Sequence, residues 1–178
     1  MFSSFITPTC VGIDGHDVVV EVDVSVGLPS FAIVGWPGSR SRETRDRVRA
    51  AVINSGIEWP LRRVTANFTR HGAGPDSGCD LGLGLALHAA HTRAQPLMLP
   101  LPVAVGELGL DGTVRSVRGL LPRLAAVPAG TRTVLVPAAD VDVATRFFPD
   151  LPITGVGTFA DAVAVIDHTY NDTTQEDK

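Results

Sequence analysis

Valines at positions 18, 20, 22, 24 and 26 alternate with Val19, Glu21, Asp23 and Ser25. Period-two patterning puts successive side chains on opposite faces and predicts a half-buried strand. Residues 10–35 as a whole read as strands. Asp14-Gly15 is a tight-turn signal for a hairpin, Gly27-Leu28-Pro29 a break, and Ser30–Val34 a further strand. Trp36-Pro37-Gly38-Ser39 interrupts the pattern, and a helix is predicted over 40–55 with Gly56 in the C-cap position. Residues 62–69 return to strand, and 70–79 form a loop rich in Gly, Pro and Asp. Asp80 reads as the N-cap of a helix reaching His91. Leu81, Leu83, Leu85 and Leu87 make that helix apolar nearly all round, which predicts a buried element.

Pro96, Pro100 and Pro102 mark a loop. Residues 103–110 and 113–117 then predict a hairpin turning at Asp111-Gly112. Helices are expected over 120–127, 140–147 and 158–167, and short strands over 133–136 and 152–155. The segment 169–178 is polar and expected to be a disordered tail, leaving 1–168 as one domain. Antiparallel strands first, then helices alternating with strands, predict an α/β fold of the α+β kind. Its mixed sheet should be covered mainly on one face by helices.

A length of 178 residues suits one domain with its own core, and an apolar share of 44% excludes a disordered chain. The only lysine is Lys178, the last residue. The body therefore offers no lysine for a Schiff base, a Ser–Lys dyad or a nucleotide-binding P-loop. Cys10 and Cys79 are far apart and form no CxxC pair, which suits a reducing compartment. No signal-peptide pattern opens the chain and no stretch has the apolar length of a membrane span, so a cytoplasmic protein without membrane contact is expected.

Several blocks occur together in a fixed order. Gly27-Leu28-Pro29-Ser30-Phe31 leads into Val34-Gly35-Trp36-Pro37, followed by the run from Ser41 to Arg49 and by Ile53-Asn54-Ser55-Gly56. Arg62-Arg63-Val64-Thr65-Ala66-Asn67 comes next, then Gly106-Glu107-Leu108, Leu110-Asp111-Gly112, Val114-Arg115 and Val117-Arg118-Gly119. Over about residues 5–167 this order resembles the N-terminal domain of the Mg-chelatase-like AAA+ proteins, the ComM/YifB family. The resemblance implies the fold shared by the Lon protease domain, the C-terminal domain of RadA and domain 2 of a ribosomal small-subunit protein. It also implies a place ahead of an AAA+ ATPase module. Full-length ComM-like proteins are hexameric branch-migrating helicases linked to natural transformation and recombination. The chain departs from the family in two respects. It has no GxxxxGK(S/T) segment, so the ATPase module is expected to be absent, with ATP and Mg as cofactors only if such a module follows. It also carries Arg70-His71-Gly72-Ala73-Gly74 where relatives have a lysine-containing loop.

The residues admit four kinds of chemistry. Lon-like peptidases place a serine near what is here Gly78 and a lysine at what is here Leu121. Ser77 and Cys79 flank the first position, but no lysine serves as base, and Cys79 with His71 is a weak further nucleophile pairing. The competing reading of Cys79 is a small core residue at a helix start. Arg70, His71, Gly72 and Gly74, with Gly78, outline a weak anion-binding loop, against which Asp80 places a negative charge and a plain loop is the alternative. His88 and His91 have an i, i+3 spacing that can ligate zinc. No third ligand matches, and a solvated helix-end pair is the expectation.

The fourth is polyanion or partner contact. Residues 40–70 hold eight arginines against Glu43, Asp46 and Glu58, a net of +5. Arg42, Arg45 and Arg49 share a helical face, and with Arg62 and Arg63 they are the candidate residues for DNA or partner binding. The opposing reading pairs these charges internally, as Arg42–Asp46, Glu43–Arg47 and Asp46–Arg49. From Asp140 onward eight acids face Arg146 and Lys178, a net of −6, a polarity that would suit head-to-tail self-association or docking to an ATPase module. The expectation is a non-catalytic accessory domain serving oligomer assembly and DNA contact. A degenerate Lon-like peptidase and a purely structural interaction module are the alternatives.

Overall fold

The computed structural model describes residues 1–36, 38–69, 74–92 and 100–176, the last six as backbone only. Strand β1 (Phe2–Ile6) lies beside β4 (Val19–Ser25). Between them in sequence, β2 (Thr9–Val11) and β3 (Asp14–His16) form a separate hairpin. Strand β5 (Ser30–Val34), helix α1 (Ser39–Asn54) and strand β6 (Arg63–Thr69) follow, then a 3-10 turn at Ser77–Cys79 and helix α2 (Asp80–Thr92). Strands β7 (Val103–Ala104), β8 (Glu107–Leu108) and β9 (Val114–Arg115) precede α3 (Leu120–Ala125) and β10 (Val134–Pro137). A 3-10 turn at Ala138–Asp140, α4 (Val141–Phe147), β11 (Ile153–Val156) and α5 (Phe159–Glu176) complete the order.

Seven strands make one mixed sheet in the order β11-β10-β7-β1-β4-β6-β5, in which β4 alone runs against the others. The valine alternation is realised in β4: Val20, Val22 and Val24 are buried, and Val19, Glu21, Asp23 and Ser25 half-buried. Helix α2 lies across β1 and β4 with every residue from Asp80 to Ala90 buried. Each leucine so enclosed contributes about 1.5–3 kcal/mol. Gly82 and Gly84 allow this approach, since an added Cβ would lie 2.9 Å from Thr7 Cβ and 2.7 Å from Phe159 Cε2 respectively. Helices α1 and α5 flank α2 on the same face.

The second face differs from expectation. Helices α3 and α4 cover its β7, β10 and β11 side with a separate core of Ile6, Val103, Val105, Leu120, Leu124, Val134, Val136 and Ala144, so the sheet is covered on both faces there. Three local readings also change. The first hairpin turns at Gly12-Ile13, with Gly12 at φ +61°. Asp14-Gly15 belongs to β3, and Gly15 is needed because a side chain there would collide with the Pro122 carbonyl. The expected strand 103–110 is split between the main sheet (β7) and the β8–β9 hairpin, whose loop contains Asp111-Gly112 with Gly112 at φ +86°. The last helix runs to Glu176 instead of 167, past the expected start of the tail at Thr169, and Tyr170 is buried. Among the described residues no helix is long and apolar enough to cross a membrane.

Candidate functional site

Helix α1 buries only Thr44, Val48, Ala51 and Val52, a stripe at i, i+4, i+7 and i+8 that leaves Arg42 and Arg49 on the outer side and turns Arg47 inward. Its end is a Schellman motif. Gly56, at φ +74°, donates its N–H to Ile53 O (3.0 Å), and Ile57 N–H donates to Val52 O (3.2 Å), which confirms the predicted glycine stop. Arg42 and Arg49 are exposed, and Arg45 is half-buried. Arg45 Nη1 donates to Phe31 O on β5 (3.2 Å), and the Arg49 guanidinium lies 5.8 Å from the Trp59 ring centre. Trp59 in turn meets Phe31 edge to face at 5.3 Å. Arg62 and Arg63 are exposed where the chain enters β6, with Arg63 beside Gly27. One corner of the molecule, formed by α1, β5 and the segment leading into β6, thus holds all five candidate arginines.

The internal pairing considered as the opposing reading is not what forms. Among the described residues no ion pair joins Arg42 to Asp46, Asp46 to Arg49 or Glu43 to Arg47. Arg47 instead reaches Asp80, Nε to Oδ2 at 2.6 Å and Nη2 to Oδ1 at 3.0 Å. Asp80 also accepts from Leu108 N–H at 3.3 Å, so its carboxylate ties α1 and the β8–β9 hairpin to the start of α2 and does not cap its own helix. The capping work falls to Asp76, whose Oδ1 accepts from Gly78 N–H at 2.9 Å. Asp76 Oδ2 takes Arg123 Nη2 at 2.6 Å. Arg123, itself buried, also donates to Pro8 O (2.7 Å) and Arg118 O (3.1 Å). Sequence reasoning passed over Arg123. Its signal is a charge at i+3 from Leu120 and i−1 from Leu124, on the buried stripe of α3.

Two clefts, of about 340 and 370 Å³, meet at Asp76 and Ser77. Arg40, Glu43 and Arg47 line the first; Glu107, Arg118 and Arg123 line the second, so basic and acidic groups balance in both. Ser77 therefore sits in a polar crevice, and Leu121, where a Lon-like peptidase was expected to carry its lysine, is half-buried on α3. Cys79 is fully buried, and burial first, then the nearby Asp76 charge, pushes its thiol up to about 12, which removes the thiolate a nucleophile needs. Of the anion-loop candidates, Gly74 faces open space. Gly78 makes room for Arg123, whose Nη1 would lie 2.7 Å from an added Cβ. Arg70, His71 and Gly72, like Pro96, lie outside the described residues. The two histidines of α2 are not a solvated pair. His88, buried, meets Asp167 of α5 at 3.1 Å, and His91 meets Glu58 at 3.6 Å. Among the described residues no group of three His, Cys, Asp or Glu could hold a metal ion.

Known proteins match most of this chain. The family model described as subunit ChlI of Mg-chelatase matches residues 20–140. The chain belongs to this Mg-chelatase-like family. An uncharacterized protein of Mycobacterium tuberculosis is 41% identical over 140 residues, 75% of this chain and 27% of that protein. YifB of Escherichia coli is 35% identical over 131 residues, 73% of this chain and 26% of YifB. The competence protein ComM of Haemophilus influenzae is 31% identical over 126 residues, 70% of this chain and 25% of ComM. Within the Mg-chelatase-like family the chain corresponds to the N-terminal domain of YifB and ComM, and it spans about a quarter of the length of these relatives.

Proposed function

We propose that this chain is a non-catalytic accessory domain of Lon-protease-like fold, working in the cytoplasm. It serves oligomer assembly and contacts DNA in a recombination or transformation machine. The observation that carries the reading is the state of the arginine corner. Arg42 and Arg49 are exposed without an acidic partner, and Arg45 and Arg49 are held by Phe31 and Trp59. A fixed, uncompensated row of guanidinium groups favours phosphate or carboxylate contact and makes it salt-dependent. The name of the competence protein ComM points to the same setting. ATP and Mg enter only through an AAA+ module joined to the domain.

Fluorescence anisotropy of labelled single-stranded and forked DNA, at low and moderate salt, tests the DNA half. Saturable binding that weakens with salt, and that the triple variant Arg42→Ala/Arg45→Ala/Arg49→Ala removes, is the expected result. Flat traces at high micromolar protein would sink it and leave a purely structural interaction module. The second reading, a Lon-like peptidase relic, has the place of Ser77 in both clefts in its favour. Turnover of a fluorogenic peptide that Ser77→Ala abolishes would establish it, and no turnover removes it.

A further inference from the structure

Both edges of the seven-stranded sheet, β5 and β11, point the same way. In a parallel ladder alternate residues turn both backbone groups toward one neighbour. Ser30 N–H donates to Arg62 O at 3.3 Å, so Ser30, Ala32 and Val34 bond inward to β6 while Phe31 and Ile33 face out. Val134 N–H donates to Pro152 O at 3.1 Å, so Ile153 and Gly155 of β11 face out in the same way. Two of these outward groups have local partners: Phe31 O accepts from Arg45, and Ile153 N–H donates to Leu151 O. For Phe31 N–H, both groups of Ile33, Ile153 C=O and both groups of Gly155, no partner is found among the described residues. An open row of this kind is a template for another strand.

The surroundings of the two edges are complementary. At the start of β5, Val26, Leu28 and Leu61 are 88%, 83% and 81% exposed, and the register Ser25–Arg63–Ser30 brings their loops together beside Arg62 and Arg63. At the β11 edge, α4 exposes Val143 and Phe147, one turn apart. Asp142 and Asp150 are exposed beside the single base Arg146 of the segment 138–151, while Asp140 is half-buried and accepts from Ser116 Oγ at 2.8 Å. Scattered exposed aliphatics need no explanation, but grouped ones rimmed by charge mark contact surfaces.

We infer that copies of this chain associate head to tail: the β11 edge of one continues the sheet beyond β5 of the next. Arg62 and Arg63 meet the aspartates beside α4, and the two apolar groups cover each other. The added strand is parallel and the contact heterologous, so each copy keeps one free edge. A nucleic acid would neutralise Arg62 and Arg63 but leave Val26, Leu28 and Leu61 in water; a second copy covers both. The inference rests on the assembly half of the proposed function and needs no DNA.

Sedimentation velocity of the 178-residue chain over a concentration series at low salt reads the association directly. The expected result is a sedimentation coefficient that climbs past a dimer as concentration rises and falls back with salt. Arg62→Glu/Arg63→Glu and Asp142→Arg/Asp150→Arg are each expected to be monomeric. Their equimolar mixture should regain association past the dimer, because the unchanged edges still pair and each reversed edge meets the oppositely charged reversed edge of the other variant; recovery in the mixture also shows that both are folded. A wild-type chain that stays monomeric, one that stops at a dimer, or loss of association from only one of the two charge reversals overturns the inference. The DNA reading stands or falls separately, on anisotropy of the Arg42/Arg45/Arg49 variant.

Discussion

Arg47 on α1 closes on Asp80 at the start of α2 through two hydrogen bonds of 2.6 and 3.0 Å, and the aspartate side chain has no exposed surface. This pair joins the helix that carries the arginine corner to the helix at the centre of the core. Removing the guanidinium leaves a buried carboxylate without its counter-charge, which costs far more than the pair itself contributes. Arg47→Ala is expected to destabilise the fold by about 3 kcal/mol. Asp80→Asn should cost less, because its side chain still offers an acceptor. Urea denaturation midpoints of the two variants check the order; equal midpoints would contradict it.

The same carboxylate makes stability depend on pH. Asp80 is pushed up to about 6 from 3.8, chiefly because burial desolvates the anion; the hydrogen bonds and charge of Arg47 and the Leu108 N–H pull the other way. Between 3.8 and about 6 the folded chain therefore holds a proton that the unfolded chain has released. The Asp80 contribution is fully present below 3.8, declines as pH rises through this window, and is level above it. The difference in unfolding free energy between wild type and Asp80→Asn should fall across that window. A difference that rises with pH would mean that the Arg47 bonds outweigh desolvation.

Much of the fold was legible because local pattern and tertiary role agree. The leucine-rich run of α2 is buried as its composition requires, and Gly56 stops α1 with the backbone bonds a left-handed glycine permits. Strand β1 was not legible. Phe5 and Ile6 are adjacent yet serve different cores on opposite faces, and Ser3 and Ser4 are buried beside them, so no alternation survives. The partner of Arg47 was misread for a related reason. Glu43 stands one helical turn away in sequence, while Asp80 is 33 residues off and becomes a neighbour only through the packing of α1 on α2. The arginine corner was readable as composition, but its anchoring on Phe31 and Trp59 depends on the edge position of β5, which no local signal encodes.

Cys79 and Cys10 should behave as different thiols. Cys79 is fully buried, its Sγ 3.7 Å from Thr7 O and its thiol pushed up to about 12, whereas Cys10 is half-buried on β2. Alkylation of the native chain followed by mass spectrometry is expected to label Cys10 and spare Cys79, with Cys79 labelled at the rate of global unfolding. Equal labelling of both in the absence of denaturant would contradict the enclosed core around α2.

Gly84 tests the closeness of α2 to its neighbours. Alanine would gain about 1 kcal/mol of helix propensity at an exposed helical site. At this position an added Cβ would lie 2.7 Å from Phe159 Cε2 and 3.5 Å from Leu108 Cδ1, so the ring must shift. Gly84→Ala should therefore destabilise by about 1–3 kcal/mol in spite of propensity. Gly74→Ala, where nothing lies within 4 Å, should leave the thermal midpoint unchanged. A stabilised Gly84→Ala would show that α5 yields more easily than the packing indicates.

The three α1 arginines should separate in their effects. Arg42 is exposed and holds no acid, so Arg42→Ala is expected to leave the denaturation midpoint in place, while Arg49→Ala loses the contact with the Trp59 ring and should cost about 0.5 kcal/mol. Each should weaken DNA binding and lower the slope of log affinity against log salt by about 0.7 for a single strand, the share of one phosphate contact. Arg45 also holds Phe31 O, the carbonyl at the open edge of β5, so Arg45→Ala should cost about 1 kcal/mol of stability in addition to its effect on binding. Parallel measurement of urea midpoints and anisotropy for the three single variants checks the split. If all three lower stability alike, the row is a structural brace for α1. If none alters the salt slope, phosphate contact by this face is ruled out and the arginines are left to protein partners.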